Sequence, residues 1–150
     1  MRYTFVFIIV AITSLVGCNN STSSKEPVVT SVTDSLFHEV MKGHDAAMGK
    51  TNRISSLQKL VQRAIDSLDK LPSKMKHGSE TYKVRLDSLS IMLGGASADM
   101  DKWMQEFNMD SAKYDQELRA KYLESEKEKI FMVREKMTDA LKMADSLLKK

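Results

Sequence analysis

The chain is poor in the residues that cross-link or interrupt a fold. Among 150 residues there are one cysteine, one tryptophan and two prolines. A single cysteine excludes an intramolecular disulfide framework and any cysteine-rich zinc module. Prolines at positions 27 and 72 alone leave long stretches without a break. Neither sign of charge dominates: 23 lysines and arginines stand against 20 acidic residues, a formal net charge of +3. That balance lacks the basic footprint of a nucleic-acid-coating protein, so no nucleic-acid partner is expected. Strand-type alternation is absent, and no apolar run approaches the roughly 20 residues of a permanent membrane-spanning helix.

Signatures of catalysis are missing as well. The chain has no Gly-x-Ser-x-Gly, no His-Glu-x-x-His and no phosphate-cradling glycine loop. The residues three before His38, His44 and His77 are Ser35, Met41 and Lys74, so the Glu-x-x-His ligand pattern of metal-binding bundles is missing too. No catalytic residue is expected, and the reading is of a non-enzymatic protein.

What is present begins at the N-terminus. Arg2 supplies a positive start, Phe5 to Ile12 is an unbroken apolar run, and Leu15-Val16-Gly17-Cys18 follows. This layout is that of a secretory signal peptide over residues 1–17. Small Gly17 directly before a cysteine resembles a bacterial lipobox. That resemblance implies cleavage before Cys18 and lipid attachment to it, anchoring the chain to a membrane. Acyl chains contribute about 0.8 kcal/mol per buried methylene, so several of them hold a protein firmly. Asn19 after the cysteine, by likeness to lipoprotein sorting signals, implies the outer membrane, with the folded part facing the periplasm. Residues 18–31 then read as the lipidated cysteine and a flexible tether, being rich in serine and threonine without a helical stripe. Thirteen extended residues reach about 45 Å.

Residues 32–150 follow a rhythm of threes and fours, which predicts an all-α domain. A first helix is expected to start at Ser31 or Thr33, with Asp34 in its first turn, and to stop at Pro72. Gly43 and Gly49 each weaken it by about 1 kcal/mol relative to alanine and mark a bend or a close approach, residues 49–52 being where a break is left open. A polar turn over residues 73–79 leads to a second helix ending near Phe107, kinked at Gly94-Gly95. A third runs from about Ser111 to the end. Asp115–Arg119 and Glu117–Lys121 are spaced as i,i+4 ion pairs. Short connections between long helices make neighbours antiparallel, so the expected fold is an up-down-up three-helix bundle.

One convergence of side chains carries possible chemistry. Met41, His44 and Met48 share one face of the first helix, and Met100 and Met104 are four apart on the second. A hairpin folded about residues 75–76 sets His44 against Phe107, and Met48 against Trp103 and Met104. Tyr114 is expected in the same layer. Thioethers with an imidazole suit copper(I), which gives a periplasmic soft-metal site as the alternative function. The plainer reading is that methionines fill irregular gaps in a slender core against Trp103, with His44 bonded to Tyr114 or Asp45.

Three segments stand in one order behind the lipobox: His44-Asp45-Ala46-Ala47-Met48, Trp103-Met104-Gln105-Glu106-Phe107 and Tyr122-Leu123-Glu124-Ser125-Glu126-Lys127-Glu128-Lys129-Ile130. This order resembles a group of small bacterial lipoproteins of unknown function, often labelled "viral A-type inclusion protein". The likeness covers most of the chain from residue 36 onward. It implies a helical lipoprotein and brings no catalytic or binding residues with it. Members often carry a proline where this chain has Gly49, so the local bend is expected to differ. The function expected overall is a lipid-anchored envelope module that contacts another envelope protein.

Overall fold

A computed structural model describes residues 31–148. The expected signal peptide, Cys18 and the tether through residue 30 lie outside the described residues. The described chain is helical: α1 spans Val32–Asp69, α2 Ser73–Lys76, α3 Glu80–Glu106 and α4 Gln116–Leu148. The single-turn α2 lies inside the connection that the sequence pattern assigns to a polar turn.

The start of α1 follows from its cap. Ser31 Oγ accepts the Asp34 amide at 3.1 Å, satisfying one of the free N–H groups of the first turn. Thr33, the other candidate start, is buried instead. Its hydroxyl donates to Gln116 Oε1 at 3.0 Å, which ties the first turn of α1 to the first turn of α4. Pro72 lacks an N–H to continue α1, and its carbonyl accepts the Met75 amide to begin α2.

No helix breaks at its glycines, and α3 keeps its register through Gly94-Gly95 as the spacing predicts. α1 is continuous through residues 49–52, and α3 is continuous through Gly94-Gly95. In both places buried residues flank the glycines, Ala47 and Ile54 in α1 and Leu93 and Ala96 in α3. Burial of that apolar face outweighs about 1 kcal/mol of propensity per glycine. Gly43 has a different role. A Cβ built on it would lie 2.9 Å from Cγ2 of buried Ile130, so the glycine admits α4 to close range.

The start of α4 is the main departure. Tyr114 fits the apolar rhythm, and so the sequence pattern extends the helix back to about Ser111. Instead Asp115 caps α4, its Oδ1 accepting the amides of Glu117 at 3.1 Å and Leu118 at 3.0 Å. Residues 107–115 form a loop in which Ala112 takes a left-handed φ of 52°. Arg119 therefore does not serve the expected pair with Asp115. Its guanidinium donates to the carbonyls of Met109 and Ser111. The Glu117–Lys121 pair forms at 2.7 Å.

The core is one cluster running the length of the three long helices, from Leu36 and Val40 through Ile54, Leu89, Met100 and Ile130 to Ala144. Each long helix packs on the other two. Cross-helix pairs record the register. Asp69 meets Lys83 at 3.5 Å beside the α1–α3 connection, and Asp99 meets Lys136 between α3 and α4. Between α1 and α4, Glu39 meets Lys127 and Arg53 meets Asp145.

Candidate functional site

The residues singled out by sequence divide into those that meet and those that do not. Trp103 lies at the centre of the group that meets. Its ring stacks on Phe107 with centroids 4.7 Å apart and an interplanar angle of 16°. Phe107 in turn stacks on Tyr122 at 6.2 Å, and His44 lies tilted against Trp103 at 5.7 Å. The expected partner of His44 was Phe107, one helical turn further along. Four rings from α1, the C-terminal end of α3 and α4 thus form one layer close to the 107–115 loop.

Tyr114 is not part of that layer. It stands 96% exposed, because the loop that carries it has left the helical path. Tyr122 takes the place expected of Tyr114, and its hydroxyl accepts the Asn108 amide at 2.7 Å. Spacing alone offers a signal for Tyr122, which lies two turns beyond Tyr114 on the same apolar stripe. What the sequence pattern missed is the cap at Asp115.

The methionines are split between environments. Met100 is enclosed in the core at 1% exposure, Met41 is half-buried, and Met48 and Met104 reach solvent at 38% and 40%. The four therefore do not share one dry pocket. His44 is half-buried, and its Nδ1 hydrogen-bonds the adjacent Asp45 carboxylate at 3.0 Å. This is one of the two partners expected for it. The contact fixes one ring nitrogen as a donor and leaves Nε2 as the nitrogen available to a ligand. Among the described residues no group of three or more histidine, cysteine, aspartate or glutamate side chains is arranged to hold a metal.

Two polar groups are buried near this layer. Trp103 Nε1 is a fully buried donor without a hydrogen-bond partner, a condition that costs about 1–3 kcal/mol. The stack on Phe107 and the surrounding apolar burial hold the ring there despite that cost. Glu126 is buried on α4 and is satisfied by Lys129 Nζ at 2.7 Å. This hydrogen bond raises the Lys129 pKa above its ordinary value. Glu126 lies three residues after Leu123 and four before Ile130, so the apolar spacing already places this carboxylate, and not Glu124 or Glu128, on the inward face. A groove of about 290 Å³ between α3 and α4 borders Trp103, with Lys102, Lys129 and Lys136 interleaved with Asp99 and Glu106.

The remaining charges are surface pairs. Lys127, hydrogen-bonded to Glu39 across α1 and α4, holds that carboxyl below its usual value, and the same bond raises Lys127. Asp87 raises Lys83 in the same manner, chiefly through a hydrogen bond. Such exposed pairs set register and contribute little stability.

Compared with family models, with curated proteins and with solved structures, the chain matches none.

Proposed function

We propose that this chain is a lipid-anchored protein of the bacterial cell envelope, held by Cys18, whose helices serve as a non-enzymatic interaction module. Its architecture in this reading is the up-down-up three-helix bundle, in keeping with the Asp69–Lys83 and Asp99–Lys136 pairs. The anchor is read from the apolar run before Gly17-Cys18 and the polar tether after it. The likeness to small helical lipoproteins points the same way.

The observation that carries the interaction role is on α3. Ile91 is 76% exposed and Val84 is similarly outward, while Gly94 and Gly95 leave open space beside them. A β-branched side chain next to a glycine gap offers a partner helix both a projection and a recess. The partner in this reading is another envelope protein. Two measurements test the proposal. Metabolic labelling with a fatty-acid analogue should label the parent and not Cys18→Ala; label retained by Cys18→Ala defeats the anchor. A photo-crosslinker at Ile91 should give a discrete adduct in intact envelopes, and one at outward Arg63 should not. Equal adducts from both positions, or none from Ile91, defeat the α3 face.

A soft-metal reading is favoured by one observation, the carboxylate-fixed Nδ1 of His44 between Met41 and Met48 on a shared helix face. Copper(I) titration under reducing conditions tests it. Binding unchanged in His44→Ala, or absent in the parent, removes this reading.

A further inference from the structure

The end of the molecule that receives the chain from its N-terminus exposes an unusual set of side chains. Val32 in the first turn of α1, Met109 and Tyr114 in the loop, and Leu118 in the first turn of α4 are all largely exposed. The Thr33–Gln116 hydrogen bond places the first turns of α1 and α4 side by side, so these residues share one end. The loop is also fixed in place. Arg119 grips the Met109 and Ser111 carbonyls, Tyr122 takes the Asn108 amide, and Asp115 caps α4. Tyr114 and Met109 are therefore presented by a tied backbone. Large apolar groups held outward in this way mark a surface with an occupant.

We infer that this end docks on a lipid surface, with Tyr114, Met109, Leu118 and Val32 entering the headgroup layer. The inference rests on reading Cys18 as the lipid anchor, and the tether then selects the end. α1 has 38 residues and is about 57 Å long at 1.5 Å per residue. Thirteen tether residues reach about 45 Å at most. If the α1–α3 connection touched the membrane, Ser31 would stand further off than the tether extends. The end bearing Tyr114 meets no such limit. Tyrosine, with an apolar ring and a polar tip, is a residue of the membrane–water interface. At this end Asp34, Asp110, Asp115 and Glu117 stand against Lys113, Arg119 and Lys121, leaving no basic excess, so the surface recognised is zwitterionic lipid and not an anionic one. Four side chains bind weakly alone, but an anchored chain meets the surface at high effective concentration.

The test uses the full lipidated chain with Tyr114→Trp, and Met75→Trp at the far end as reference, on phosphatidylcholine vesicles carrying brominated acyl chains. Both positions are exposed, and buried Trp103 supplies a constant background. Bromine should cause about a two-fold loss of the added indole's emission at position 114 and leave the parent and Met75→Trp unchanged. Full emission from Tyr114→Trp on chains that float with the vesicles overturns the inference. So does a requirement for phosphatidylglycerol, or an equal loss at Met75→Trp. Flotation of Cys18→Ala reads the anchor separately. If that variant floats as the parent does, the anchor reading fails, while quenching at position 114 still decides the docking surface.

Discussion

The two ends of the helical assembly are built on different principles. At the α1–α3 end, residues 70–79 are almost entirely exposed, and the connection is set by Pro72, a single-turn helix and the Asp69–Lys83 pair. At the other end, a ring layer and three polar ties hold a loop that carries outward apolar side chains. A turn that only reverses the chain needs little beyond a helix stop and a few surface charges. A loop that presents Tyr114 needs its backbone fixed, because an exposed aromatic on a slack loop would collapse onto the nearest apolar surface. The difference indicates where the molecule commits specific interactions: at the end where α1 and α4 begin.

The strongest way to break this contrast is at the ring layer. Trp103→Ala should lower unfolding free energy by about 3–5 kcal/mol in denaturant titrations, through lost burial and a cavity between the helices. Trp103→Phe should cost clearly less, because it also removes the unpartnered indole N–H. A loss below 1 kcal/mol for alanine would mean that the layer does not stabilise this end.

The glycines sharpen the picture at the next level. Gly43→Ala should destabilise by about 1–3 kcal/mol through overpacking against Ile130. Gly49→Ala meets no neighbour and should stabilise by about 0.5–1 kcal/mol through helix propensity alone. Thermal unfolding of the two variants should therefore shift in opposite directions.

Two polar ties follow. Asp115→Ala removes the α4 cap, and Tyr122→Phe removes the acceptor of the Asn108 amide. Each should cost about 1 kcal/mol and speed amide exchange in the 107–115 loop. Met75→Ala at the opposite end should change stability by under about 0.5 kcal/mol. An equal loss at Met75 would erase the contrast between the ends.

The smallest effect concerns Glu39 and Lys127. Glu39 is depressed in the folded state, so its contribution is full above its ordinary value of 4.5 and fades as pH falls through the depressed one. Lys127 is raised, so its contribution is full below 10.5 and fades as pH rises beyond that. The melting-temperature gap between parent and Glu39→Gln should be small at neutral pH and close toward both extremes. A gap unchanged in strong acid would place its origin elsewhere.

Much of the helical layout is readable from spacing. Leu86, Leu89, Leu93, Ala96 and Met100 repeat at threes and fours and are buried, as are Leu36 and Val40, four apart, and Val40, Ala47, Ile54 and Val61, which recur every seven residues. The hairpin centre near residue 76 also agrees with the Asp69–Lys83 pair. The candidate site is less legible. His44, Trp103 and Phe107 do converge, yet Tyr114 leaves the layer and the methionines divide between core and solvent. Periodicity identifies which face a residue occupies along a continuing helix, and it fails where the helix has not begun. Asp115 decides that point through its side-chain oxygen, which accepts the amides two and three residues on, a local cap that the apolar rhythm does not register.

The sequence by itself determines an all-helical domain, because apolar residues repeat at 3.6 and prolines are confined to two positions. It also determines the order of an apolar run, a lone cysteine, a polar serine- and threonine-rich stretch and the helical periodicity. The tertiary structure decided which residues those helices bring together. Burial in a packed core outweighs the local cost of Gly49 and Gly94-Gly95, and so α1 and α3 run unbroken. It decided as well that Tyr122 and not Tyr114 completes the ring layer. The grip of Arg119 on the loop joins groups eight and ten residues apart, and such bonds are settled only by the folded backbone.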